Sequence, residues 1–156
     1  NLRNKLLDLY LPQAQLKNIE LKVSVKPYDN EISFSKAKLL QIFGNMVSNS
    51  IKFTNDSGSI SIHLSLSQIA RRKAIINFII KDNGVGISDI QIKNMLHHRA
   101  ISTAGTNDER GFGFGFQLSK HLIESMKGKI DIDSKEGQGT KIQIDLPVKV
   151  FSEKAD

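Results

Sequence analysis

Asp82-Asn-Gly-Val-Gly-Ile87 follows directly on the apolar run Ile75 to Ile80, which puts a carboxylate and two glycines at the end of a predicted strand. An ionised carboxylate only accepts hydrogen bonds. Held at a strand end, it pairs with the exocyclic amino donor of adenine and repels the carbonyl that guanine presents there. About thirty residues earlier, Asn45, Asn49 and Lys52 recur at helical spacing. Their amides offer neutral, hard oxygens of the kind magnesium takes, and the lysine offers a counter-charge for phosphate. A third segment, Gly111-Phe-Gly-Phe-Gly-Phe116, precedes a helix expected from Gln117 and supplies flexible backbone N–H groups near a helix N-terminus, where phosphate is favoured. Three separated segments thus offer what the base, the metal and the phosphates of ATP each require.

Each segment also has a plainer reading. Asp-Asn-Gly is a common turn after a strand, and Gly84 and Gly86 serve such a turn as well as a close approach to a flat base. Gln41, Asn45, Asn49 and Lys52 fall within about 80° of one another on a helix and can form a solvated stripe. A solvated stripe is normally Glu and Lys, however, and this one is mostly amides. The glycine run is neither a dinucleotide fingerprint nor a P-loop, since no Gly-x-Gly-x-x-Gly follows the first strand and no Gly-Lys-Ser/Thr follows the run. His97-His98 has no neighbouring carboxylate or third histidine to complete a metal site and reads as an exposed pair. Arg99 and Arg110 flank the same segment, either reaching a γ-phosphate or solvated.

The positioning elements follow from periodicity. Leu2, Leu6, Leu9 and Leu16 predict a helix to about Lys17, broken or kinked at Pro12, followed by an alternating strand from Ile19 to Val25. A long amphipathic helix runs from Ser35 to Phe53, with Leu39, Ile42, Phe43, Met46 and Val47 opposite the polar stripe. Ser59–Leu66 and Ala74–Lys81 form a hairpin across the basic turn Arg71-Arg72-Lys73. Ser88 caps a short helix to Leu96, and residues 97–110 form a long loop of the length seen in lids. A helix from Gln117 to Met126 stops at Gly128, and Lys129–Asp133 and Thr140–Leu146 close the chain as a hairpin around Gly137-Gln-Gly139. These elements predict a two-layer α/β sandwich in which a mixed, mostly antiparallel sheet packs on three main helices. Residues 1–150 are one domain and 151–156 a tail.

Composition narrows the class. At 156 residues with 24% charged residues the chain is ordinary globular material, without an apolar stretch able to span a bilayer. The absence of cysteine excludes disulfides, zinc-thiolate sites and thiol catalysis and suits a reducing cytoplasm. The net charge of +6 is scattered and not interleaved with aromatics, so the expected partners do not include nucleic acid. The chain opens mid-pattern at Asn1-Leu2-Arg3, as a piece of something longer would.

On these motifs the chain resembles the catalytic ATP-binding domain of bacterial sensor histidine kinases, in the superfamily shared with type II topoisomerases, ATP-driven chaperones and MutL. Asn45-Met-Val-Ser-Asn49-Ser-Ile-Lys52-Phe-Thr54 is similar to the family's N box, Asp82–Ile87 to its G1 box and Gly111–Phe116 to its G2 box. Lys129 to Pro147 is similar to its terminal hairpin. The resemblance implies a Bergerat-type ATP-binding fold. It implies ATP and Mg²⁺ as ligands, with Asn49 on the metal, Asn45 beside metal and phosphates, Lys52 on phosphate and Phe53 lining the site. Asp82 would hold the adenine amino group, Gly84, Gly86 and Ile87 would shape the base pocket, and Thr140 would support the base through water. Arg110, Gly111, Gly113 and Gly115 would serve the phosphates, and 97–110 would be the lid. Two features depart from the pattern: Met95-Leu96-His97-His98 replaces a phenylalanine-containing box, and Phe114 and Phe116 stand where leucines are usual.

Hydrolytic members of the superfamily carry a glutamate where Asn45 stands, and an amide has no useful basicity, so the resemblance implies transfer rather than hydrolysis. The expected acceptor is a histidine on a helical dimerisation domain. None of His63, His97, His98 or His121 has a phosphoacceptor context, so that histidine is expected before Asn1. A response-regulator receiver domain would act downstream. The implied setting is cytoplasmic, without direct membrane contact by this domain, its parent being soluble or anchored in the inner membrane. The alternatives are a nucleotide-binding interaction module of the same fold without transfer activity, and a hydrolytic ATPase of the superfamily.

Overall fold

A computed structural model of the chain describes residues 2–26, 32–33, 35–97 and 114–150, the side chains of 32, 33 and 114 excepted. The expectations for Arg110, Gly111, Gly113, His98, Arg99, most of the lid and the 151–156 tail lie outside these residues. In chain order the elements are α1 (Leu2–Leu16), β1 (Glu20–Val25), β2 (Ile32–Ser33), α2 (Lys36–Phe53), β3 (Ser59–Ala70) and β4 (Lys73–Asp82). Then come α3 (Asp89–Leu96), α4 (Phe114–Ser125), β5 (Lys129–Lys135) and β6 (Gly139–Val150).

The sheet runs β1-β3-β4-β6, and the far edge of β6 is shared by β5 at one end and β2 at the other. Strand β1 lies parallel to β3 while every other pair is antiparallel, giving the mixed, mostly antiparallel sheet that hairpin spacing predicts. Alternation decides which face is covered. Ile60, Ile62 and Leu64 of β3, Ala74, Ile76, Phe78 and Ile80 of β4, and Ile142, Ile144 and Leu146 of β6 are buried beneath the helices. Against them α2 places Leu39, Ile42, Phe43, Met46 and Val47, all at 0% exposure, and Phe43 stacks on Phe78 with ring centroids 4.2 Å apart. Helix α2 is therefore locked in rotation about its axis, which fixes where its polar residues point.

Its ends are held as well. The Ser35 side chain accepts from Lys38 N, and Lys17 Nζ donates to Ile51 O at 2.8 Å, a cation against the carbonyl end of the helix. Ser88 and Gln91 form a complete capping box at the start of α3, as the cap position predicts.

Three local expectations are corrected. Of the break or kink expected at Pro12, the break does not occur: helix α1 runs through it, and the Asp8 carbonyl that loses its partner belongs to an exposed residue, where water can replace the bond. Helix α4 begins at Phe114 rather than Gln117, and the carbonyl of Gly115 in its first turn is held by Asn45 Nδ2 at 3.1 Å. Strands β3 and β6 run on to Ala70 and Val150, past the visible alternation, since β4 supplies ladder partners as far as Ala70 and Lys149 and β2 pairs Val150. Among the described residues no helix is long and apolar enough to cross a membrane.

Candidate functional site

Asp82 ends β4 on the covered face of the sheet, in one transverse row with Thr140 of β6 and Ser134 of β5. Its Oδ1 accepts from Gly84 N at 2.9 Å and from Thr140 N at 3.2 Å, and the Ser50 hydroxyl of α2 also donates to the carboxylate. Burial pushes the Asp82 carboxyl above its ordinary value, and the hydrogen bonds from Gly84, Ser50 and Thr140 oppose that rise without cancelling it. The strand-end carboxylate is thus fixed in orientation, mostly withdrawn from water and joined to α2 through a residue adjacent to Asn49.

The chain after Asp82 is tied on both sides. Val85 N donates to Phe53 O at 2.9 Å, fastening the segment to the end of α2, while Gly137 N donates to Val85 O at 2.7 Å and Ile87 N to Ser134 Oγ at 2.8 Å. These ties give both glycines a structural reason of their own. A Cβ on Gly84 would lie 2.2 Å from Phe53 O. Gly86 has φ +76°, and a Cβ there would lie 2.1 Å from Lys135 O. Replacing Gly86 with alanine is therefore expected to cost at least about 2 kcal/mol, a left-handed conformation plus a collision with backbone that cannot yield. Thermal melting checks this, with Tm falling by about 4 °C or more in a domain of this size. An unchanged Tm would show that the loop relaxes.

The polar stripe of α2 does not behave as one solvated face. Gln41 is exposed, whereas Asn49 is buried at 7% exposure and its Nδ2 has no hydrogen-bond partner among the described residues. Asn45 is half-buried, and its Nδ2 donates to Gly115 O at 3.1 Å and to Ser119 Oγ at 2.8 Å, joining α2 to α4. An aspartate there would set an acceptor against the Gly115 carbonyl, whereas the Ser119 hydroxyl could turn to donate, so the packing favours the amide at one of its two contacts. Lys52 is half-buried in the last turn of α2, and Phe53 and Ile87 are buried. Among the described residues no group of three or more His, Cys, Asp or Glu forms a metal cage by itself.

Two hydroxyls absent from the sequence-based site belong to it: Ser50, which reaches Asp82, and Ser134, which holds Ile87 and Thr140. No local signal marks their links to Asp82 and Ile87, because Ile87 is 47 residues from Ser134 in the chain and Asp82 is as far removed from Ser50 as one helix is from the next strand pair. The altered segment before the lid has a visible role: Met95 is buried, and its carbonyl accepts from Gln117 Nε2 at 3.1 Å, joining α3 to α4. Phe116 is buried at 1% exposure. The helices carrying the first and third motifs and the strand end carrying the second are thus one hydrogen-bonded assembly.

Comparison with known proteins agrees with this geometry. Residues 35–150 match the family described as histidine kinase-, DNA gyrase B-, and HSP90-like ATPase. The autoinducer 2 sensor kinase/phosphatase LuxQ of Vibrio parahaemolyticus is 33% identical over 145 residues, 91% of this chain and 17% of that protein. The sensor histidine kinase GacS of Pseudomonas protegens is 35% identical over 154 residues, 94% of this chain and 16% of that protein. The chain therefore spans about one-sixth of the length of these relatives. Among solved structures, full-length ShkA in complex with AMPPNP superposes with a TM-score of 0.73 at 24% identity, over 97% of this chain and 30% of that one. The catalytic domain of histidine kinase ThkA, in a nucleotide-free form, superposes with a TM-score of 0.71 at 20% identity over 94% of this chain and 91% of its own. These two share the fold. The chain belongs to the family of histidine kinase-, DNA gyrase B-, and HSP90-like ATPases, and its curated relatives within that family are sensor kinases.

Proposed function

We propose that this domain binds Mg-ATP and presents the γ-phosphoryl group to a histidine on a separate helical dimerisation domain of its parent, feeding a response-regulator receiver domain in two-component signalling. The observation that carries the reading is the buried Asn49 Nδ2, without a hydrogen-bond partner among the described residues and adjacent to the Ser50 hydroxyl that reaches Asp82. An unsatisfied buried amide costs about 1–3 kcal/mol, and a bound cation or phosphate is the natural relief. The two amide atoms exchange by a flip, so the same position can present oxygen to magnesium, which accepts one or two protein oxygens alongside phosphates and waters.

In this reading Asp82 takes the adenine amino group, with Gly84, Gly86, Ile87 and Thr140 shaping the base pocket and Phe53 lining the site. Asn49 holds Mg²⁺, with Asn45 beside it, and Lys52, Arg110, Gly111, Gly113 and Gly115 steady the phosphates. Magnesium supplies charge neutralisation on the phosphate oxygens. In the transfer an imidazole nitrogen of the acceptor forms the new P–N bond as the bond from phosphorus to the β-phosphate oxygen breaks. ADP leaves with that electron pair, and the imidazole proton goes to solvent. Such a reaction needs positioning and neutralisation more than covalent help from the domain. Asn45, its amide N–H groups committed to α4, offers no base to activate water, so the domain holds ATP without hydrolysing it. The domain works in the cytoplasm, whatever anchors its parent.

The test incubates the purified chain with γ-labelled Mg-ATP and follows bound nucleotide and released phosphate, with Asp82→Ala as control. Bound ATP with negligible release, lost in the control, is the expected result. Brisk phosphate release would make the domain an ATPase, and no binding would leave an interaction module.

A further inference from the structure

The hydroxyl of Ser134 makes three contacts that can be satisfied in one way only. Ile87 N–H can only donate to it, at 2.8 Å. The carbonyl of Gly139 can only accept from it, at 2.9 Å. The third partner, Thr140 Oγ1 at 2.8 Å, could do either. A serine hydroxyl has one proton and two lone pairs. With the proton given to Gly139 O and one lone pair taken by Ile87, the other lone pair must be filled by the proton of Thr140. Thr140 is buried at 7% exposure, next to Asp82 in the same transverse row and on the same covered face. Its proton being directed to Ser134, it has only lone pairs to turn towards a ligand. Asp82, its Oδ1 pinned by two backbone N–H groups, is likewise acceptor-only.

We propose that Ser134 is a positioning residue that sets base specificity. By sending its own proton to Gly139 O it turns the Thr140 hydroxyl into an obligate acceptor beside Asp82, so the pair selects a purine edge bearing an amino donor over one bearing a carbonyl. This inference rests on the nucleotide reading given above. Without Ser134 the Thr140 proton is released to rotate, and a carbonyl edge gains a donor it was denied.

The test measures Kd, in the presence of Mg²⁺, for ATP and for 6-methoxypurine riboside triphosphate, which replaces the 6-amino donor by an acceptor oxygen and leaves N1 unprotonated as in adenine. The chain, Ser134→Ala, Ser134→Thr, Thr140→Val and the double variant Ser134→Ala/Thr140→Val are compared. Ser134→Ala is expected to lower the preference for ATP over the 6-methoxy analogue by about 3- to 10-fold, the range of one neutral hydrogen bond. Ser134→Thr, which keeps the hydroxyl, is expected to restore the preference, and Ser134→Ala is expected to change it no further once Thr140 is valine. A merely structural serine would weaken both nucleotides equally, and an unchanged ratio in Ser134→Ala overturns the proposal while leaving the nucleotide reading intact. Absence of any preference for ATP in the unmodified chain overturns both. Hydrogen exchange at the Ile87 amide, without nucleotide, is expected to accelerate in Ser134→Ala, and unaltered exchange would also overturn it, since the network would not then exist.

Discussion

Asp82→Asn is expected to abolish most ATP affinity, by roughly 30- to 100-fold, while leaving the domain at least as stable at neutral pH. The effect on binding follows from one pinned oxygen. Gly84 N and Thr140 N both donate to Oδ1, so in the variant the amide oxygen stays with them and the amide NH₂ turns to where the second carboxylate oxygen was. That sets a donor against the adenine amino donor, and loss of a hydrogen bond to a charged group is worth about 2–3 kcal/mol. Stability moves the other way because burial holds the Asp82 carboxyl above its ordinary value in the folded state. Between the unfolded and folded values the folded chain carries more protons, so this group's contribution to stability falls as pH rises through that window. As pH rises through that window the cost of burying the charge comes into force, and the uncharged variant escapes it. The advantage should vanish well below the ordinary value of 3.8, where the carboxyl is protonated in both states. Nucleotide titration and thermal melts at the two pH values decide the matter. A variant that binds ATP normally would remove Asp82 from the base site, and one that is less stable at neutral pH would mean that its hydrogen bonds outweigh its burial.

A similar exchange of stability for binding is expected of Asn49→Leu. Leucine is close to asparagine in reach and carries no polar atom, so it removes the unpaired Nδ2 from a site at 7% exposure. The domain should gain about 1–3 kcal/mol, the cost of an unsatisfied buried group. It should lose the increase in nucleotide affinity that magnesium confers, by at least about 10-fold for removal of a metal-holding residue. Binding measured with excess Mg²⁺ and with EDTA separates the effects. The present chain should show a large difference between the two conditions and the variant little. Should the variant keep that difference, the metal is held without Asn49. Should it be less stable, the amide has a partner in the folded chain, and the observation carrying the proposed function is lost.

Most of the fold was legible because it is written in short-range patterns. The period of α2 separates Leu39, Ile42, Phe43, Met46 and Val47 from the polar stripe, Ser35 and Ser88 mark the helix starts, and the alternating strands announce their hairpins. Residue type and spacing around Asn45, Asp82 and Gly111 suggest base, metal and phosphate chemistry from the sequence alone. Tertiary structure decided how those groups are held. Burial of Asn49, commitment of Asn45 to α4, and the links of Ser50 to Asp82 and of Ser134 to Ile87 join residues far apart in sequence. Hydrogen-bond direction and desolvation depend on what the folded chain places opposite a side chain, and periodicity carries no information about that. The same reason explains Pro12, whose lost bond matters little because that side of the helix faces water. It also explains Gly84 and Gly86, required by carbonyls of Phe53 and Lys135 that only folding brings within reach.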